Sequence, residues 1–188
     1  TPAAGAFSGW PKSFKEFTLL DPSCGSGHFL LGTFDRLMRL WQQHYSELTG
    51  RQWNAKDAAG RVLGDGGQYP GQVFGVDVNP YAVAIARFRL LIAACKWSGV
   101  VRLKDAPGWK PQVFCGDSLY HGRRWPVCSN KPKEQQMIIG DWDLLYHFED
   151  VDDVRRVLSQ KYHAVVGNPP YIEIEDTVMK AYYRRMYR

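Results

Sequence analysis

Four short apolar segments in this chain each lead into an acidic residue or an asparagine. The segments and their polar residues are 17–21 with Asp21, 72–78 with Asp77, 112–115 with Asp117 and 163–167 with Asn168. Helical patterns separate them, so the alternation predicts βαβ units. The expected fold class is α/β, a Rossmann-like, doubly wound and mostly parallel sheet. Because parallel strands present their carboxyl ends at one edge, the four polar side chains are expected to form a ligand site.

Helical periodicity is clearest at 28–48 and 80–97. In the first segment Leu30, Phe34, Leu37 and Trp41 form one apolar stripe. The second segment opens with Asn79 as N-cap and Pro80 in the first turn, and a third, shorter helix is expected at 151–160. Two segments are expected to be inserts in the fold. Residues 49–71 contain six glycines and are predicted to form a loop, and 118–153 mix charge, proline and aromatics without a clear period.

Composition excludes several protein classes. The 188 residues are 45% hydrophobic and 23% charged, which is typical of one globular domain. No window of 18 uncharged apolar residues predicts a membrane span, and the first residues contain no apolar core of a secretory signal. The net charge of +5 suits a nucleic-acid partner without requiring one.

The four cysteines form no CxxC pair and lie at no zinc-ligand spacing from the histidines. We therefore predict neither a metal site nor a disulfide framework. Cys95 and Cys115 lie inside apolar runs and are expected to be small core residues. A reducing cytoplasm is the expected location.

The turn after the first strand reads DPSCGSGHFL, residues 21–30. Gly25 and Gly27 permit a tight turn that a ligand can approach closely, and the following helix directs its positive N-terminus there. The turn lacks the GK[ST] of a phosphate-binding loop and the third glycine of the dinucleotide fingerprint. It therefore suits a ligand with one modest anionic end, and an ordinary glycine-rich turn is the alternative.

Asp77, at the end of the second strand, matches the acid that accepts hydrogen bonds from ribose hydroxyls in dinucleotide folds. A helix-capping role is the alternative. Asp117, after the third strand, could receive an adenine amino group or be a simple turn residue. Asn168-Pro169-Pro170-Tyr171 follows the fourth strand. Although Pro-Pro often marks a plain loop, this tetrapeptide arises by chance in under ~0.1% of chains this long, given ordinary proline usage.

The motif order DPSCGSGHFL, GVDVNP, CGDSL and NPPY resembles the catalytic core of S-adenosylmethionine-dependent amino-group DNA methyltransferases. The Asn-Pro-Pro-Tyr form resembles the N6-adenine type. Within that group, GVDVNPYAVAIARFRLLIAA and DPSCGSGHFLL are most similar to the PglX-like methyltransferases of BREX phage-defence systems. Restriction enzymes with fused methyltransferases come next. The match covers about 17–172 in four islands.

The resemblance implies S-adenosylmethionine as cofactor and a set of residues that bind it. Gly25 and Gly27 would pass beneath the methionine part, with Asp21 near its amino group. Asp77 would hold the ribose and Val78 would pack on the adenine. The expected cofactor-binding set is Asp21, Pro22, Cys24, Gly25, Ser26, Gly27, Phe29, Asp77, Val78, Asp117 and Ser118.

The expected catalytic residues are Asn168, Pro169, Pro170 and Tyr171. By resemblance, the Asn168 side chain and the Pro169 carbonyl would grip the amine of the target base, on which Tyr171 would stack. A base inside a duplex cannot reach such a site, so the expected partner is double-stranded DNA with a flipped adenine. Other proteins of a phage-defence system are further expected partners.

The chain departs from the family pattern at both ends. The segment that precedes the first motif in many relatives is missing or reduced to 1–15, and the motifs expected after NPPY are absent. We therefore expect part of a catalytic domain, with cofactor motifs in 17–119, the catalytic motif in 162–172 and target recognition elsewhere. The alternatives are a release-factor glutamine methyltransferase, an N4-cytosine or RNA enzyme, and a truncated methyltransferase fold that only binds DNA or a partner.

Overall fold

The computed structural model describes residues 13–121 and 150–168, together with Lys180. Its strands are β1 (Leu19–Asp21), β2 (Val73–Asp77), β3 (Gln112–Cys115) and β4 (Ala164–Val165). All three strand pairs are parallel, and the spatial order is β3-β2-β1-β4. The predicted parallel sheet is confirmed, and each strand lies within its predicted segment.

Five α-helices are described along the chain. They are α1 (His28–Thr49), α2 (Ala55–Leu63), α3 (Pro80–Ser98), α4 (Ser118–His121) and α5 (Val151–Leu158). Short 3₁₀ turns span Phe14–Glu16 and Leu103–Asp105. Helices α1, α3 and α5 occupy the segments where the periodicity predicts them.

Helices cover both faces of the sheet. Leu19 of β1 packs in the cluster formed with α1, α2 and α3, whereas Leu20 packs in a second cluster with Val154 and Val157 of α5. The chain winds from β1 through β2 to β3 in one direction and then returns to add β4 on the other side of β1. This reversal at β1 is the switch point of a doubly wound sheet, so the Rossmann-like α/β fold class is confirmed.

The expectation that 49–71 form only a loop is wrong, because α2 lies inside this segment. The Asn54 side chain caps α2 by accepting from the backbone N–H groups of Lys56 and Asp57. The inward residues Ala58, Ala59, Val62 and Leu63 are fully buried. The many glycines obscured a short helix whose buried face has two alanines and a glycine beside Val62 and Leu63, which is a weak hydrophobic signal in the sequence.

The start of α3 and the core face of α1 agree with the sequence patterns. Asn79 accepts from the N–H of Tyr81 at 2.9 Å, and Pro80 is the first helical residue, as predicted. All four residues of the predicted α1 stripe are buried. Inside this core the Trp41 indole N–H donates to the side-chain oxygen of Gln72 at 2.8 Å. This bond joins α1 to the residue that precedes β2.

No helix among residues 13–121 and 150–168 combines the length and the apolar character needed to cross a bilayer.

Candidate functional site

The loop between β1 and α1 folds over the end of β2. The N–H of Cys24 donates to the Val76 carbonyl at 3.0 Å, and the N–H of Gly25 donates to Asp77 Oδ2 at 2.7 Å. A tight turn follows, in which the Gly27 N–H donates to the Cys24 carbonyl at 2.8 Å. The glycine-rich motif and the second-strand acid therefore form one unit, as the parallel topology predicts.

Gly25 and Gly27 have positive φ angles of 52° and 80°, respectively, which favour glycine. Their surroundings differ. A Cβ at Gly27 would lie 2.9 Å from the Ala86 Cβ of α3, whereas a Cβ at Gly25 would have no heavy atom within 4 Å. Gly27 thus allows α1 and α3 to pack closely. The open space next to Gly25, at the surface of the loop, is called the cradle below.

The loop packs down on β2 at Gly75, the first residue of the GVDVNP motif, for which the sequence predicted no role. A Cβ at Gly75 would lie 2.7 Å from a Leu30 methyl and 3.1 Å from Cys24 Sγ. Cys24 is buried, and its burial raises the pKa of the thiol to about 12. Cys24 therefore packs between the loop and β2, with its Sγ against Gly75 and 3.7 Å from the Gly25 carbonyl oxygen.

Asp21 is buried at the carboxyl end of β1, where its Oδ1 accepts from the N–H of Ser23 at 3.1 Å. Burial raises the pKa of this carboxyl, the Ser23 bond opposes that rise, and the nearby negative charge of Asp77 adds to it. A buried carboxylate next to a second carboxylate attracts a cationic group. The pair suits a ligand that carries an ammonium.

Both carboxylate oxygens of Asp77 already accept backbone hydrogen bonds. Oδ2 accepts from Gly25, and Oδ1 accepts from the N–H of Asn79 at 2.9 Å. The residue that caps α3 is Asn79, so Asp77 acts as a turn residue that ties the first loop to the start of α3. Each oxygen has a second lone pair and can accept a further hydrogen bond from a ribose hydroxyl. The ribose contact therefore stays a prediction. Val78 follows with its side chain 66% exposed, and Phe29 is exposed in the first turn of α1.

The end of β3 is joined to the same loops. The N–H of Gly116 donates to the Asp77 carbonyl at 2.9 Å, and the Ser118 hydroxyl donates to the Pro22 carbonyl at 2.5 Å. Asp117 Oδ1 accepts from the N–H of Leu119 at 2.8 Å and so caps α4. Three of the four predicted strand ends thus form one hydrogen-bonded assembly.

The fourth strand end lies beside the first. A Cβ at Gly167 would lie 3.2 Å from Ser23 Oγ and 3.4 Å from Asp21 Oδ1. Asn168 is the next residue and is exposed. Asn168 therefore directly follows a residue that contacts the loop after β1. The predicted catalytic residues Pro169, Pro170 and Tyr171 lie outside the described residues.

Sequence reasoning missed two groups that hold this assembly together. Arg89 of α3 donates to the Ser26 carbonyl at 2.8 Å and to its Oγ at 3.1 Å. Asp150, before α5, accepts from the Cys115 N–H at 3.1 Å and from Arg87 at 2.8 Å. The only signal for the two arginines is that they interrupt an otherwise apolar helical run.

Metal ligands do not cluster in the described ranges, where no group of three or more His, Cys, Asp or Glu side chains could hold an ion. Cys24, Cys95 and Cys115 are buried and are not joined in disulfides. The predicted burial of Cys95 and Cys115 is confirmed, and Cys128 lies outside the described residues.

Residues 71–188 match the family model of the Eco57I restriction-modification methylase. This stretch is more than half of the chain and holds the second, third and fourth strand ends described above. The chain belongs to the Eco57I restriction-modification methylase family.

Individual relatives agree with the family. This Eco57I-family chain is 39% identical over 186 residues to the adenine-specific methyltransferase PglX of Streptomyces coelicolor, covering 93% of the chain and 14% of that protein. It is 32% identical over 105 residues to a protein of Methanocaldococcus jannaschii named as a type II restriction enzyme and methyltransferase. That match covers 54% of the chain and 8% of that protein. The chain thus spans a small part of both relatives.

Among solved structures, this Eco57I-family chain is similar to a nuclease-deletion mutant of the type ISP restriction-modification enzyme LlaGI, determined with a DNA substrate mimic. The TM-score is 0.48 at 14% identity, over 83% of this chain and 10% of that one.

Proposed function

We propose that this chain carries the catalytic core of a DNA methyltransferase that transfers a methyl group from S-adenosylmethionine to the N6 amine of adenine. Residues 17–119 would bind the cofactor and 162–172 would act on the base. Phage defence or restriction-modification is the corresponding biological role. The observation that carries the proposal is that Gly167, the residue before Asn168, lies against the side chains of Asp21 and Ser23. It supports a target amine and a cofactor being held at one edge of the sheet.

The residues at the cradle suit S-adenosylmethionine. Asp21 and Asp77 offer negative charge to the ammonium of its methionine part, and the space above Gly25 leaves room for a ligand against the backbone. The exposed side chains of Phe29 and Val78 flank the loop and the end of β2, where they could cover apolar parts of the cofactor. When bound, the cofactor supplies an electrophilic methyl group on a sulfonium sulfur.

The proposed work of Asn168 is to hold and orient the target amine. The lone pair of the adenine amine is delocalised into the ring, which makes the nitrogen a poor nucleophile. An Asn168 side-chain oxygen and the Pro169 carbonyl that accept its two N–H groups would favour tetrahedral nitrogen. Alignment of this kind is worth roughly 7–11 kcal/mol when the reacting atoms are well positioned. The amine sheds its extra proton readily after methylation, so no side chain needs to act as a general base first.

The proposed DNA partner follows from the same geometry. A paired adenine cannot bring its amine to Asn168, so the base must leave the helix. Tyr171 would then replace part of the stacking that the base loses. Other phage-defence proteins are proposed partners on the strength of the similarity to PglX.

The deciding experiment compares cells that carry the full-length protein with cells that lack it. We expect mass spectrometry of their DNA to detect N6-methyladenine only in the first. N4-methylcytosine in place of N6-methyladenine would show that the target base is cytosine and not adenine. Methylglutamine in a release factor would move the substrate from DNA to protein, and no methylation together with DNA binding would leave a binding module.

A further inference from the structure

Two side chains from outside the loop after β1 bond its crest, residues Gly25-Ser26-Gly27: Asp77 of β2 at Gly25 and Arg89 of α3 at Ser26. Arg89 Nη1 lies 2.8 Å from the Ser26 carbonyl oxygen and 3.1 Å from its Oγ. The two residues are 63 positions apart in the chain. The other described bonds of the loop come from β2, from Ser118 and from the loop itself, so Arg89 supplies the hydrogen bonds that join the crest to α3.

Close packing of α3 makes this contact possible. Gly27 meets Ala86 at a distance that excludes any side chain at position 27. Ala86 and Arg89 are three residues apart, so they lie on the same side of α3. The helix thus approaches the loop at Ala86, and Arg89 reaches the crest from one turn further on.

A nearby arginine of the same helix serves a different element. Arg87 donates to the Val113 carbonyl at 2.6 Å and pairs with Asp150 at 2.8 Å. At about 100° per residue, positions 87 and 89 point roughly 200° apart. Arg87 therefore fastens α3 to the edge of β3, and Arg89 fastens it to the loop after β1.

We propose that Arg89 is a positioning residue that holds the 25–27 loop in the conformation that receives the cofactor, a role that rests on the proposed cofactor site. Without this contact the two positive-φ glycines allow the loop many other conformations. Because the hydrogen bonds of Arg89 go to Ser26 in the loop crest, we expect it to act on cofactor affinity and to leave the transfer step alone. The Arg89 guanidinium donates to two acceptors of Ser26. A side chain with fewer donors at this position should therefore hold the loop less firmly than arginine, and one with no donor should not hold it at all.

The test uses the full-length protein and four variants, which are Arg89→Met, Arg89→Lys, Ser26→Ala and Arg36→Met. Arg36 is an exposed cation of α1 whose side chain makes no hydrogen bond with a described residue, so it controls for lost charge. The first readout is hydrogen exchange of peptides covering residues 22–31 without added cofactor. The second is the Kd of S-adenosylmethionine by calorimetry, and the third is KM against kcat on DNA.

For Arg89→Met we expect about tenfold faster exchange in the loop and about tenfold weaker cofactor binding, the usual size for one charged hydrogen-bond donor. KM for the cofactor should rise while kcat stays near the wild-type value. Arg89→Lys should recover part of the loss. Ser26→Ala should have a smaller effect because its carbonyl contact survives, and Arg36→Met should behave as wild type.

Unchanged loop exchange in Arg89→Met would overturn the proposal, and so would an equal loss of affinity in Arg36→Met. A uniform rise in exchange across the whole sheet would also overturn it, since that marks general destabilisation. If the wild-type protein binds no S-adenosylmethionine, the proposed function fails. Faster exchange confined to the loop would still support the positioning role in that case.

Discussion

The loop after β1 and the segment after β4 reach the same edge of the sheet but are held there differently. The loop is bonded to β2 through Asp77, to the β3 end through Ser118 and to α3 through Arg89. By contrast, β4 has two residues, pairs with β1 alone among the described strands, and leaves Val165 63% exposed. Asn168 makes no hydrogen bond with another described residue.

This difference separates two tasks in the proposed reaction. A cofactor that must bind before each turnover benefits from a site that is already arranged, because ordering a loop on binding costs affinity. A side chain that grips a flipped base is completed only when that base arrives. We therefore expect changes in the loop to act on cofactor binding and stability, and changes after β4 to act on transfer.

The largest expected effect comes from Asn168→Ala. Losing one positioned acceptor for the target amine should lower the rate of methyl transfer by about 10²–10³ while the cofactor Kd stays unchanged, because Asn168 contributes nothing to the β1 loop. Methylation assays at saturating cofactor, with calorimetry on the same sample, measure both. Asn168→Asp keeps the shape but adds charge, and should also be strongly impaired. Near-normal methylation by Asn168→Ala would remove this residue from the reaction.

Gly27→Ala and Gly25→Ala form a matched pair within the loop. Both place alanine at a positive φ, which costs about 1–2 kcal/mol. Only Gly27→Ala also presses a Cβ against Ala86, adding about 1–3 kcal/mol of overpacking. Urea unfolding should therefore find Gly27→Ala the less stable of the two. Equal unfolding free energies would contradict the close helix packing described here.

Asp77→Ala should weaken cofactor binding by about 1.5–3 kcal/mol, the range for hydrogen bonds to a charged group. The change removes both the expected ribose acceptor and the acceptor for the Gly25 and Asn79 N–H groups. Calorimetry gives the affinity, and transfer at saturating cofactor should be much less affected than in Asn168→Ala. An unchanged Kd would take Asp77 out of the cofactor site.

Asp21→Asn tests the electrostatics of the buried turn and should have the smallest effect. Because burial raises the pKa of Asp21 above its ordinary value of 3.8, its ionisation is harder in the folded than in the unfolded protein. The associated stability is complete below the ordinary value and is lost as the pH rises through the raised one. The variant should therefore gain stability relative to wild type as the pH increases across that window.

Urea unfolding of both proteins at a series of pH values measures this difference. A difference that stays flat with pH would mean that Asp21 titrates normally in the folded protein. The same variant should bind S-adenosylmethionine more weakly, since it no longer offers a negative charge to the ammonium. Tighter binding would contradict the proposed place of Asp21.

The local parts of this fold could be read from the sequence because they depend on neighbouring residues. The strand segments, the α1 stripe and the Asn79-Pro80 cap follow from periodicity and capping chemistry within a few positions. The motif residues at the strand ends were found in the same way, and the family they resemble is the one to which the chain belongs. Their individual roles toward cofactor and base stay predictions.

The alternation of strands with helices, and the polar residues Asp21, Asp77, Asp117 and Asn168 at the strand ends, can be predicted from the amino-acid pattern. That α2 is a core helix and that Arg89 contacts Ser26 can be seen only in the folded chain. The same is true of the two carboxylate oxygens of Asp77, each of which accepts a hydrogen bond from a backbone N–H group. The physical reason is that these contacts join segments up to 63 residues apart. Which carbonyl a long side chain reaches depends on the rotation of its helix and on how closely the helix packs. The close packing of α3 on the loop depends on the contact between Gly27 and Ala86, which the sequence alone does not reveal.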